Sequence, residues 1–230
     1  MFALQTLAIA LLVVGILATM AEGIRRGSGA VVVNTVAALG VTLVPVAVLL
    51  PLDVVTTARV WELTLWIATA SFLHSLGMLG LYESVAWWDH LTHTLSAGVL
   101  AAVFYSASIV AIPLQSGTAA QTLAIAGTTV GLTLLAGVAW ELLELVAREL
   151  GKRYDIEPVL VHYGRRDTVL DLVFDIVGAV VVLAVDVRLF LPIIGQSPET
   201  AGVLLAGSAV VCVVGMVATT LAIIVLRRAE

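Results

Sequence analysis

Between Asp89 and Glu141 the chain reads HLTHTLSAGVLAAVFYSASIVAIPLQSGTAAQTLAIAGTTVGLTLLAGVAW, with no Asp, Glu, Lys or Arg anywhere in it. A bilayer core takes about 20 helical residues at about 1.5 Å each, so the stretch is too long for one crossing and must turn back on itself. The cluster Pro113-Leu114-Gln115-Ser116-Gly117 has turn-forming composition and marks the break. One span is therefore expected over residues 89–112 and another over 122–146.

Working outward, further apolar runs cover 2–21, 30–52 and 60–81 before this stretch and 167–191 and 201–226 after it. With 61% apolar residues, 12% charged residues and a mean hydropathy of +1.12, the 230-residue chain lies outside the soluble range. The expected fold is all-α: a polytopic bundle of about seven spans, forming a single transmembrane domain over 1–230. The first run lacks a basic leading region and a small-residue cleavage site before Glu22, so it is read as a retained span. No internal repeat of fixed period is visible.

Orientation follows from Lys and Arg in the connections. Arg25 and Arg26, the segment from Arg148 to Arg166, and the tail with Arg227 and Arg228 place nine basic residues on one side; Arg59 and Arg188 place two on the other. The N-terminus is expected outside and the C-terminus in the cytoplasm, with the protein in the plasma membrane as a multi-pass chain.

Several chemistries are excluded. The lone lysine, Lys152, lies in a polar connection, and a retinal Schiff base needs a lysine buried in a helix, so retinal is not expected. Cys212 has no second cysteine to pair with and reads as a small apolar packing residue. A net charge of −5 without a basic stripe gives no reason to expect a nucleic-acid partner. Membrane lipid is the expected partner; the oligomeric state is not legible.

Against this apolar background the ionisable residues converge. Under the expected topology His74, Asp89, His90, His93, Glu141, Glu144, Asp167, Asp171 and Asp175 all fall toward the cytoplasmic face. Intramembrane charges are expensive, so a cluster of them is a site by default. Asp89 and His93 are one helical turn apart, and Asp167, Asp171 and Asp175 form an i, i+4, i+8 stripe. Structural roles compete for some of these. Asp89 and Asp167 stand where an acidic residue caps a helix N-terminus. Glu144 is placed for an i, i+4 pair with Arg148, and His74 for a hydrogen bond between helices. His93, Glu141, Asp171 and Asp175 have no such explanation, and carboxylates so close repel unless protonated or bridged by a cation.

Imidazole and carboxylate without thiolate make an oxygen and nitrogen donor set suited to a divalent ion such as Zn, Fe or Mn. The expected metal ligands are His90, His93, Glu141, Asp171 and Asp175, with Glu141 and Asp171 as catalytic groups. His74, Asp89, Glu144 and Asp167 are expected to support them. A bound ion would act on a lipid-like substrate from the inner leaflet. The same residues also suit a proton- or cation-coupled transporter, or a lipid-binding protein without catalysis. Glu62 and Asp186 lie near Arg59 and Arg188 and are read as interfacial ion pairs, and Gly127-x-x-x-Gly131 as a close-packing motif. Tyr154, His162 and Tyr163, in the cytoplasmic loop, are placed to cover the site, but read first as ordinary loop residues.

The segments that carry the cluster also carry a resemblance. Trp87-Trp88-Asp89-His90-Leu91-Thr92-His93 resembles the Asp-x-x-x-His signature of the uncharacterised YjdF-type inner-membrane proteins and, more distantly, of the VanZ-like family. Trp140-Glu141-Leu142-Leu143-Glu144 resembles the paired-Glu segment of the YjdF type, and Arg166 to Ala179 is similar to its Asp-Thr, Asp and Gly-Ala pattern. Tyr163-Gly164-Arg165-Arg166 departs from the glycine-rich YjdF pattern and is nearer the VanZ-like one. The resemblance implies a polytopic membrane protein and brings no established activity with it.

Overall fold

Helices form wherever the sequence holds a long apolar run, because a backbone in hydrocarbon must satisfy its polar groups internally. The computed structural model describes residues 2–52, 56–112 and 118–228, and no strand occurs among them. The turn expected at Pro113 to Gly117 lies outside the described residues. Among the described residues, seven helices are long and apolar enough to cross a membrane. We label them α1 (Phe2–Arg26), α2 (Gly29–Val44), α3 (Thr57–Leu76), α4 (Trp88–Ala111), α5 (Ala119–Tyr154), α6 (Arg165–Val185) and α7 (Pro198–Arg228).

Their ends carry local signals. Ser28 caps α2 by accepting from the Val31 amide at 3.2 Å, and Thr118 caps α5 through Gln121 at 3.4 Å. Asp155 and Asp186 stop α5 and α6 in the left-handed conformation, at φ 52° and 58°. Wider π turns extend two helices: Pro45–Leu49 follows α2 and Gly77–Leu81 follows α3. Gly80 sits in the second at φ 116°, a backbone that only glycine adopts without strain. A single helical turn, Leu191–Ile194, precedes α7.

Two compact units result, Met1–Thr92 and His93–Glu230; α4 starts in the first and continues in the second. In the first unit α1, α2 and α3 pack on one another. Phe72 lies so close to Gly15 that a Cβ there would overlap its ring. The buried hydroxyls of Thr35, Thr64 and Ser75 donate to the carbonyls of Val31, Val60 and Ser71, so polar side chains enter the helix interface already satisfied.

In the second unit α5 packs against both α6 and α7. At the end of this unit formed by the start of α7, Ala107, Ile194 and Ala201 make a small apolar core with Phe190, Leu204 and Leu205. Elsewhere α7 turns a run of exposed valines outward, including Val203, Val211 and Val214, as a lipid-facing helix does. The Gly127 and Gly131 pair does not act as a packing motif: a Cβ built at either meets nothing within 4 Å. Close approach occurs at other glycines, described below.

The greatest departure from the hydropathy reading is the length of α5. Its 36 residues, about 54 Å, far exceed a hydrocarbon core of about 30 Å. The charged segment after Val146 reads as a loop because it is polar, yet it continues as helix through Arg148, Glu149, Lys152 and Arg153.

Candidate functional site

The overshoot of α5 determines where the site lies. Tyr154 ends the helix thirteen residues beyond Glu141, about 20 Å along its axis. The connection to α6 must then return toward Glu141. It begins its return against the helix itself: the Ile156 amide donates to Gly151 O at 3.1 Å, and a Cβ at Gly151 would stand 3.2 Å from Pro158. The return ends with His162 Nδ1 at 3.9 Å from Glu141 Oε2, both side chains 5% exposed. The start of α6 is thereby brought to the level of Glu141.

Around that level the second unit gathers its ionisable side chains. His93 from α4 bonds Asp175 of α6, Nδ1 to Oδ1, at 3.1 Å. Ligand atoms of His93, Glu141 and Glu144 lie within 4.8 Å of one another, so this group is able to hold a metal ion, and Asp171 also comes within 4.8 Å of His93. Asp171 and Asp175 are 1% and 4% exposed and Glu141 is 3% exposed. Glu144 also accepts from Trp140 Nε1 at 2.9 Å, while Arg148 turns to Glu149 at 3.0 Å.

Small residues let the helices come this close. A Cβ on Gly137 of α5 would overlap the Asp175 carboxylate, and one on Gly178 of α6 would run into the Thr94 carbonyl of α4. Asp171, Asp175, Gly178, Ala179 and Val182 form the buried face of α6. That face is polar at its start and small or apolar further in, so one helix both packs and supplies carboxylates.

Of the proposed metal ligands, Glu141 and Asp171 each come within ligand distance of His93, and Asp175 bonds it. Among the described residues, His90 joins no group able to hold a metal. It and Asp89 occupy the first turn of α4, within the first unit, and Asp89 shares the helix face of His93. Asp167 lies in the first turn of α6, where it complements the helix dipole. His74 makes hydrogen bonds inside the first unit: its Nδ1 is 2.7 Å from the Tyr82 hydroxyl and its Nε2 is 3.1 Å from Asn34 Oδ1. That is a packing role for an imidazole between α2 and the segment after α3.

The sequence reading undervalued one participant and missed another. His162 was placed to cover the site but read first as a loop residue, because nothing in its neighbours shows the loop folding back. Glu149, 4% exposed, was hidden among basic residues that turn out to surround it. At the other end of the unit the expected ion pair forms: Asp186 meets Arg188 at 2.8 Å and accepts from Tyr105 at 2.5 Å. The Arg188 guanidinium and the Tyr105 hydroxyl hold the Asp186 carboxyl below its usual range. In the first unit Arg59 meets Glu62 at 2.5 Å.

Electrostatics single out the returning loop. Burial, reinforced by the nearby Arg148, lowers the proton affinity of His162, with Asp167 pulling the other way. Neither Glu141 oxygen and not His162 Nδ1 has a partner at hydrogen-bond distance among the described residues. Buried polar atoms are almost always satisfied, so a carboxylate of this kind fits a bound cation, proton or water.

No curated protein and no solved structure matches the chain. One family model does, over residues 7–191, under the description "Predicted membrane protein (DUF2238)". The match takes in α2 to α6 and every member of the cluster just described, and stops before α7. Covering more than half of the chain, it establishes that the protein belongs to this family, the YjdF type.

Proposed function

We propose that the second unit binds a divalent metal ion through His93, Glu141, Glu144 and Asp171 and uses it on a lipid-like substrate. The observation that carries this reading is that Glu141, Glu144, Asp171 and Asp175, from α5 and α6, come within ligand distance of His93 of α4, three of them buried. Without a cation or protons, Glu141, Asp171 and Asp175 would repel one another at low dielectric. The donor set is oxygen and nitrogen only, which suits Zn, Fe or Mn.

Asp175 then has a definite task. A proton on His93 Nδ1, donated to Asp175, puts the ring's lone pair on Nε2 and fixes its orientation, as outer carboxylates do for ligating histidines. Glu141 and Asp171 are the groups best placed to take or give a proton at a substrate, and the metal would supply Lewis-acid polarisation. The helix walls, apolar from a few residues inside the cluster, suit an acyl or isoprenoid chain. In this reading the site opens to the cytoplasmic leaflet of the plasma membrane.

Metal analysis of the detergent-purified full chain tests it. Near-stoichiometric Zn, Fe or Mn, lost in His93→Ala and Glu141→Gln, is the expected result. Less than about a tenth of an equivalent, unchanged by either substitution, would overturn it. The chain of ionisable groups from His162 to Glu141 and His93 would then favour proton-coupled transport, for which proton flux into liposomes above that of empty vesicles is the readout.

A further inference from the structure

The overshooting end of α5 carries a second constellation, two turns beyond Glu141. Three cations converge on a single oxygen, Glu149 Oε1: Arg148 at 3.0 Å, Arg227 at 3.2 Å and Lys152 at 3.9 Å. One carboxylate neutralises one of them. Their donors are also far from used up, since each guanidinium has five N–H groups and Lys has three. Arg148 Nε is buried with no hydrogen-bond partner among the described residues. The sequence around it does not cancel the surplus: from Arg148 to Arg166 there are five basic residues and three acidic ones, Glu149, Asp155 and Glu157.

A purely structural ion pair between α5 and α7 needs one cation on each side at most. Holding three against one oxygen leaves a fork of donors directed at whatever lies beside it, and paired guanidinium and ammonium groups are what recognises phosphate. The location fits as well. Arg148 is one turn from Glu144 and two from Glu141 on the same helix, about 6 and 10 Å along the axis. The field of Arg148 also reaches His162 at the inner cluster. A substrate whose reacting group met His93 and Glu141 would place an adjoining anionic group at Arg148, Lys152 and Arg227.

We infer that Arg148, Lys152 and Arg227, splayed by Glu149, form a seat for a phosphomonoester group, so that the substrate class of the inner site is a phosphate-bearing lipid. This deepens the proposed function and rests on its metal-site reading for what the seated molecule is for. Phosphate binding itself does not depend on that reading, which makes the two separable.

The test uses the full chain in a zwitterionic detergent, with phosphatidic acid and phosphatidylglycerol offered at matched total charge and binding read by native mass spectrometry. Metal content is measured on the same samples. Phosphatidic acid should bind about tenfold more tightly than phosphatidylglycerol, because only a phosphomonoester offers a dianion to the fork. Lys152→Gln with Arg227→Gln should abolish that preference with metal content unchanged; both side chains are about half exposed, at 56% and 52%, so this double variant is expected to fold. Equal binding of the two lipids, or a preference that survives the double variant, would overturn the proposal. Inorganic phosphate supplies the remaining arm. Displacement of phosphatidic acid by millimolar phosphate would assign the seat to a soluble phosphate, and failure to displace it assigns the seat to a lipid headgroup. A retained preference in protein devoid of metal would sink the metal reading alone.

Discussion

His162 Nδ1 stands 3.9 Å from Glu141 Oε2, although a helix end and a loop separate the two residues along the chain. The contact exists because α5 runs on past its hydrophobic segment and the following loop has to come back along it. A loop that returns to the start of α6 seals one side of the acidic cluster with an imidazole. It leaves Tyr154, Ile156 and Tyr163 exposed at the surface of the return, where aromatic and aliphatic side chains suit a membrane interface.

The first prediction concerns pH. His162 has a lower pKa in the folded protein than the ordinary 6.5, since burial and Arg148 disfavour its charged form. The unfolded chain therefore binds more protons in the window just below 6.5, and stability falls as pH drops through it toward the folded value. Thermal unfolding in detergent should show a Tm that declines from neutral to mildly acidic pH, with a shallower decline in His162→Gln. The same slope in both proteins would show that another group titrates in this window.

Glu149 should behave as an anchor. Its replacement by Ala leaves Arg148, Lys152 and Arg227 facing one another without their common acceptor. Charge-assisted bonds to a buried group, discounted for the exposure of Lys152 and Arg227, suggest a loss of about 1–3 kcal/mol. Glu149→Gln keeps one acceptor and should lose less. Denaturant titration followed by tryptophan fluorescence checks the order Glu149→Ala, then Glu149→Gln, then wild type; two variants as stable as wild type would remove the anchor role.

His74 separates packing from metal binding. Both its ring nitrogens are engaged, by Tyr82 and Asn34, so His74→Phe removes one hydrogen bond from each of two partly buried residues and should destabilise the protein by about 1–3 kcal/mol. Metal content per folded molecule should stay at the wild-type value. A drop in metal at unchanged Tm would place His74 in the site instead.

How much of this was legible beforehand follows from the kind of signal each residue gives. Long charge-free runs specify spans, so seven helices could be counted from hydropathy alone, and the i, i+4 spacing of Asp171 and Asp175 already put both on one face. Hydropathy cannot separate a charged loop from a charged helix outside the bilayer, so the last turns of α5 read as loop. The return of His162 depends on that error, because a loop leaving from Val146 would have no distance to retrace. Glu149 was obscured for a related reason: beside Arg148 and Lys152 it resembles a solvated charge run, and only the Arg227 contact from α7 reveals that it is buried. Motif matching also misjudged the glycines. Spacing selected Gly127 and Gly131, whereas the positions where helices meet are set by the polar side chain of Asp175 and the Thr94 carbonyl.

That difference between glycines yields the last prediction. At Gly178 a Cβ would strike a backbone carbonyl, which cannot move aside, so Gly178→Ala has to separate α6 from α4. Overpacking of this kind destabilises by about 1–3 kcal/mol or more. At Gly137 the obstacle is the Asp175 carboxylate, the end of a side chain, which can rotate away from the added methyl. The loss of stability should then be smaller, but Asp175 would release His93, whose Nδ1 it holds at 3.1 Å. Gly127→Ala and Gly131→Ala meet nothing and replace a poor helix former with the best, which favours the folded state by up to about 1 kcal/mol. Melting curves and metal content together should therefore sort the variants into three behaviours: Gly178→Ala unstable, Gly137→Ala folded but deficient in metal, and the Gly127 and Gly131 variants at least as stable as wild type with full metal. Full metal retention in a folded Gly137→Ala protein would show that Asp175 does not position His93 for a ligand.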